Sequence, residues 1–177
     1  MKARKYFLVL AITLLIESCN SDVSVTPNDP QYYVDLKYPP LPRTLTRGPG
    51  QVISPSSSPH TWVVEILADG KSFMLWLARL LYHDQDGESH WQATDIIVLP
   101  PPSQNQEIIV SACLFEGLLD PEIVVLAHVD DESLKNRYLL NPSIILAWRA
   151  NQVTGKLEQM STEKIECFAE TFLSYPW

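Results

Sequence analysis

The run His83-Asp84-Gln85-Asp86-Gly87-Glu88-Ser89-His90 is the densest cluster of metal-ligating side chains in the chain. Two chemistries suit it. The imidazoles of His83 and His90, paired across a hairpin, could share a transition metal. The spacing Asp84-x-Asp86-Gly87-Glu88 is like part of a calcium loop, but it lacks the twelve-residue length and the terminal bidentate glutamate. Charged hairpin tips are also common as plain solvated turns, so no metal and no cofactor is assigned here.

Asp95 is the second oddity, a carboxylate within the apolar run His90–Leu99. On a core face it needs a partner, because burying a bare charge is expensive. Arg149, from a later hairpin, is the expected partner in a structural ion pair, with a catalytic acid as the other role. Hydrolase triads find little support. There is no Gly-x-Ser-x-Gly, Ser111 lies inside an apolar run, and His128 with Asp130 has no evident nucleophile. Neither a phosphate-binding glycine loop, nor Cys-x-x-Cys, nor His-Glu-x-x-His occurs. No residue is assigned a catalytic role. Trp62, Trp76, Trp91, Trp148 and Trp177 read as core rather than as a ligand platform.

The three cysteines are Cys19, Cys113 and Cys167. Lys2, Arg4 and Lys5 precede the largely apolar stretch Tyr6–Ile16. Its length suits a signal-peptide core and is too short to span a bilayer. Ile16-Glu17-Ser18-Cys19 then resembles the bacterial lipobox, with Glu17 atypical at its position. The resemblance implies that residues 1–18 are a signal peptide and that Cys19 is acylated and becomes the N-terminus. Ordinary cleavage nearby, for example after Ser21, is the alternative. With Cys19 set aside, an exported domain keeps two cysteines, which predicts a disulfide between Cys113 and Cys167. Two buried free thiols are the other reading.

The elements that must position these residues come in two parts. Residues 20–61 hold eight of the 14 prolines, the run Ser56-Ser57-Ser58 and no net formal charge. Proline removes ladder donors, so this stretch is expected to form neither sheet nor helix and to act as a tether over residues 19–59. As a coil it would span roughly 35–40 Å. Within it, Gln31–Tyr38 carries three tyrosines and is expected to dock on the domain. Residues 60–177 are the expected globular domain, with 7 Lys and Arg against 17 Asp and Glu, a formal charge of −10. That balance argues against nucleic acid, which is met by basic patches.

Turn residues divide the domain into apolar runs: Trp62–Ala68, Ser72–His83, His90–Leu99, Glu107–Phe115, Ile123–Val129, Ser143–Asn151 and Lys156–Met160. About seven short strands predict a mainly β, antiparallel sandwich or barrel. Phe73–Leu81 also fits helical spacing, but Asp86-Gly87 behind it is a hairpin turn, which favours a strand. That turn would set His83 opposite His90 and Tyr82 opposite Trp91. It would put Met74, Trp76, Ala78 and Asp95 on the core face and leave the other face wet toward the tip. One short helix is expected from the cap Asp130 to Asn141-Pro142, with an irregular acidic loop as the alternative.

A wider likeness sits on these same residues. Trp91-Gln92-x-x-Asp95, Leu99-Pro100-Pro101, Cys113, Asp120-Pro121-Glu122-Ile123-Val124, Ala147-Trp148-Arg149-Ala150-Asn151, Thr154–Glu158 and Ser161-Thr162-x-x-Ile165-x-Cys167 resemble an uncharacterised family of small exported proteins of cyanobacteria. The resemblance spans most of residues 75–170. It implies an exported domain with two cysteines and carries no activity or site. The expectation for function is a membrane-tethered, non-enzymatic accessory or binding protein of the cell envelope, held by its lipid and meeting an envelope protein or ligand. A small envelope enzyme with a carboxylate or histidine site is the alternative.

Overall fold

The computed structural model of the chain describes residues 29–53, 60–100, 103, 105–129 and 142–168. Cys19, the helix expected at Asp130 and Trp177 lie outside the described residues. A 3-10 turn, Pro30–Tyr33, comes first. The strands are β1 (Lys37–Tyr38), β2 (Thr46–Val52), β3 (Trp62–Ala68), β4 (Phe73–His83), β5 (Ser89–Leu99) and β6 (Gln106–Val110). They continue as β7 (Cys113–Phe115), β8 (Leu118–Leu119), β9 (Ile123–His128), β10 (Ser143–Asn151), β11 (Lys156–Met160) and β12 (Ile165–Cys167).

Three antiparallel sheets result, in the orders β1-β5-β4-β3-β2, β11-β10-β9-β6 and β12-β7-β8. The first two face each other as a sandwich. Val64, Ile66, Leu75 and Leu77 of one meet Val124, Leu126, Trp148 and Leu157 of the other. Each sheet is also covered on its outer face. Tyr33, Tyr38 and Leu45 cap the five-stranded sheet over Leu67, Met74, Trp76 and Ile96. The three-stranded sheet covers the other, with Cys113, Ile165 and Cys167 against Ile109, Ile123, Val125 and Ala147. This layering explains why Trp62–Ala68 and Ile123–His128 are nearly all buried instead of alternating. A strand covered on both faces has no wet side to encode.

The expected strands are present, and residues 30–52 correct the tether reading. Pro30 sits at the start of the 3-10 turn, where its missing N–H costs nothing, and Asp29 caps that turn through the Gln31 amide. Pro49 lies on the edge strand β2, at a register shift between Arg47 and Gly50, a place where a sheet tolerates proline. The tyrosine segment does dock. Asp35 N–H donates to the Ala93 carbonyl and Ala93 N–H to the Leu36 carbonyl, each at 2.9 Å. Trp76 is wholly buried beneath it, its ring 5.5 Å from Tyr33 and 5.9 Å from Tyr38.

Glu107–Phe115 also differs from expectation, forming two strands in two sheets. Ser111 has φ 58°, the left-handed region that breaks a strand. Its hydroxyl donates to the Pro121 carbonyl at 3.0 Å, holding the bend.

Candidate functional site

The hairpin of β4 and β5 forms as expected, but its register does not. Observed partners are His83 with Ser89, Tyr82 with His90 and Leu80 with Trp91. The cause is Asp84. Its Oδ1 accepts from the amides of Asp86 at 3.0 Å and Glu88 at 2.8 Å. Asp84 N–H donates to the Glu88 carbonyl at 3.0 Å. An aspartate bonding its own downstream backbone builds a longer loop than the two-residue turn Asp86-Gly87 alone would give.

That one-residue slip changes which ligands meet. His83 and His90 are not opposed. Nδ1 of His83 lies 3.1 Å from Ser89 Oγ instead. Asp84, Glu88 and His90 converge, one donor atom of each lying within 4.8 Å of the other two. Nε2 of His90 is 3.2 Å from Asp84 Oδ2. The His90 hydrogen bond, then the Glu88 and Asp86 amides, hold the Asp84 carboxyl below the usual carboxylate range. The His90 ring stacks on Tyr82, with centroids 4.5 Å apart and planes at 11°. Asp86 lies outside this group, so the calcium-loop spacing is not realised.

Asp95 is buried, as expected, with a different partner on a different face. Two register shifts, at Leu77/Ala78 and Leu80/Tyr82, interrupt the hairpin. Across the first, Ala78 pairs with Ala93 while Leu77 pairs with Asp95. Ala93 therefore stays under the cap with Trp76, and Asp95 turns into the sandwich with Leu77. There its Oδ2 accepts from the Leu157 amide at 2.8 Å, and its Oδ1 lies 3.1 Å from Lys156 Nζ. Arg149 is engaged elsewhere, 2.8 Å from Asp120 and over the Phe115 ring at 5.4 Å. Asp95 is thus a tie between β5 and β11 across the open side of the sandwich.

The disulfide links Cys113 to Cys167, directly opposed in β7 and β12 with Cα atoms 4.0 Å apart. Trp62, Trp76 and Trp148 are core, and Trp91 packs against the cap cluster. His128 is exposed at the end of β9.

A buried network was missed at the sequence level. The Tyr38 hydroxyl donates to Glu65 Oε2 at 2.7 Å, and Arg47 Nε lies 3.4 Å from Glu65 Oε1. Burial, then the Glu65 charge, push the Tyr38 phenol far above its usual range. The available signal was Glu65 itself, the one charge in Trp62–Ala68. Gly50 makes room for it, since a Cβ there would lie 2.9 Å from Glu65 Cγ. Beside this network, β2 and β6 border a cleft of about 70 Å³ between Pro49–Gln51 and Glu107–Val110. That is far below the ~300–1,000 Å³ of small-molecule sites. Burial raises the Glu107 carboxyl there.

Among the described residues no helix is long and apolar enough to cross a membrane. Compared with known proteins, the chain matches no family model, no curated protein and no solved structure.

Proposed function

We propose that this chain is a lipid-anchored accessory or binding protein of the cell envelope and not an enzyme. The observation that carries the reading is the Cys113–Cys167 disulfide, which fits an oxidising, exported compartment. It supports reading the basic start and the apolar stretch Tyr6–Ile16 as an export signal, and we read the lipobox-like Ile16-Glu17-Ser18-Cys19 as its acylation site. The use of Asp95 adds to it. Asp95, the carboxylate that the sequence offered as a candidate catalytic acid, is spent on the Leu157 amide and Lys156.

In this reading Cys19 carries the acyl chains. Two chains anchor stably where one is marginal. The acidic domain is repelled by anionic headgroups, so it stands off the membrane and meets its envelope partner or ligand there. Mass analysis of the membrane fraction tests this. An acylated N-terminal Cys19 peptide, and release of a Cys19→Ser variant from the pellet, are the expected results. A water-soluble mature chain beginning after Ser21 would overturn it.

A further inference from the structure

We propose that the tip of the β4–β5 hairpin binds one first-row divalent transition cation, through Nε2 of His90 and carboxylate oxygens of Asp84 and Glu88. This is independent of how the chain is anchored. Three donors from the seven-residue stretch Asp84–His90 converge within 4.8 Å. A cation with bonds of about 2.0–2.2 Å needs its donors roughly 3–4 Å apart. Asp84 Oδ2 and His90 Nε2 already stand at 3.2 Å. The remaining closure falls to Glu88, whose exposed side chain is free to swing.

The charge balance points the same way. Two carboxylates are aimed at one place, and residues 80–98 contain no lysine or arginine. Among the described residues, no lysine or arginine pairs with Asp84 or Glu88, and the contact to Asp84 comes from the His90 imidazole. A bound dication would offset what the imidazole alone does not.

Two donors are also pre-oriented. Stacking on Tyr82 fixes the His90 ring plane. The backbone amides that occupy Asp84 Oδ1 leave Oδ2 toward the site. The donor set decides the class. Imidazole nitrogen selects zinc, copper, nickel or iron over magnesium and calcium, and calcium would want six to eight oxygens, far more than two carboxylates supply. Three protein ligands leave positions open to water or to a further donor.

Calorimetric titration of the full, untagged chain in detergent with zinc chloride tests the site. Saturable binding of one ion at the tip is expected, weakened at least about 10-fold by Glu88→Gln and by His90→Gln. His83→Gln should leave it unchanged. Glu88→Gln carries the test if His90→Gln fails to fold, because Glu88 is exposed. Absence of saturable binding, zinc affinity indifferent to Glu88→Gln, dependence on His83, or calcium bound more tightly than zinc would each overturn the proposal.

Discussion

Removing the Cys113–Cys167 bridge should cost a large share of this protein's stability. The two residues are 54 positions apart and lie against the buried face formed by Ile109, Ile123 and Val125. Closing a loop of that size withdraws chain entropy from the unfolded state worth about 4 kcal/mol. Few other contacts make up for it. Strand β12 has three residues, and three register pairs join it to β7. A double Cys113→Ala, Cys167→Ala variant avoids orphaning a serine hydroxyl in a site where the sulfurs are buried. A Cys19→Ser background leaves these two as the only cysteines. Unfolding in urea, followed by the fluorescence of the buried Trp62, Trp76 and Trp148, gives the loss directly. With slopes of about 1–3 kcal/mol per molar, the midpoint should fall by more than about 1 M. The melting temperature should drop by roughly 8–16 °C. Reductant should do the same to the parent. Since domains hold about 5–15 kcal/mol in total, the variant should stay folded at room temperature, with hydrogen exchange faster first in β7, β8 and β12. An unchanged midpoint, or two free thiols titrating in the unfolded, oxidised parent, would refute the reasoning.

Asp95→Ala should cost about 1–3 kcal/mol, because it strands the buried Leu157 amide. Lys156→Ala should cost under about 1 kcal/mol, its side chain being half exposed; equal losses in urea melts would contradict the division. Glu107→Gln should raise the melting temperature at pH 7. Burial raises the folded-state pKa of Glu107, so its ionisation destabilises the fold as pH rises past the ordinary value of about 4.3. The advantage should vanish below about pH 4, and an advantage that persisted there would count against a titrating Glu107.

Much of the fold was legible in short stretches of sequence. The strand Trp62–Ala68 and the hairpin of β4 and β5 announce themselves through apolar runs bounded by turn residues. The disulfide was expected from the two cysteines that remain once Cys19 is read as part of an export signal. These signals are local, so they survive without knowledge of neighbours. The N-terminal strands were hidden because proline content speaks of missing donors, not of where those donors would point. Pro49 is harmless at an edge and would be ruinous in a central strand.

The candidate sites turned on side-chain bonds that no pattern of period two records. Asp84 bonding to two downstream amides moved the hairpin register by one residue, so His90 met Asp84 and Glu88 instead of His83. The register shift beside Thr94 turned Asp95 away from the cap and into the sandwich. There Lys156 and the Leu157 amide, more than sixty positions distant, became its partners. Residue types by themselves determined that this chain is a disulfide-bearing β protein with carboxylates in unusual places. What each carboxylate touches was decided by layers and bulges, because a bulge of one residue exchanges the two faces of every strand position beyond it.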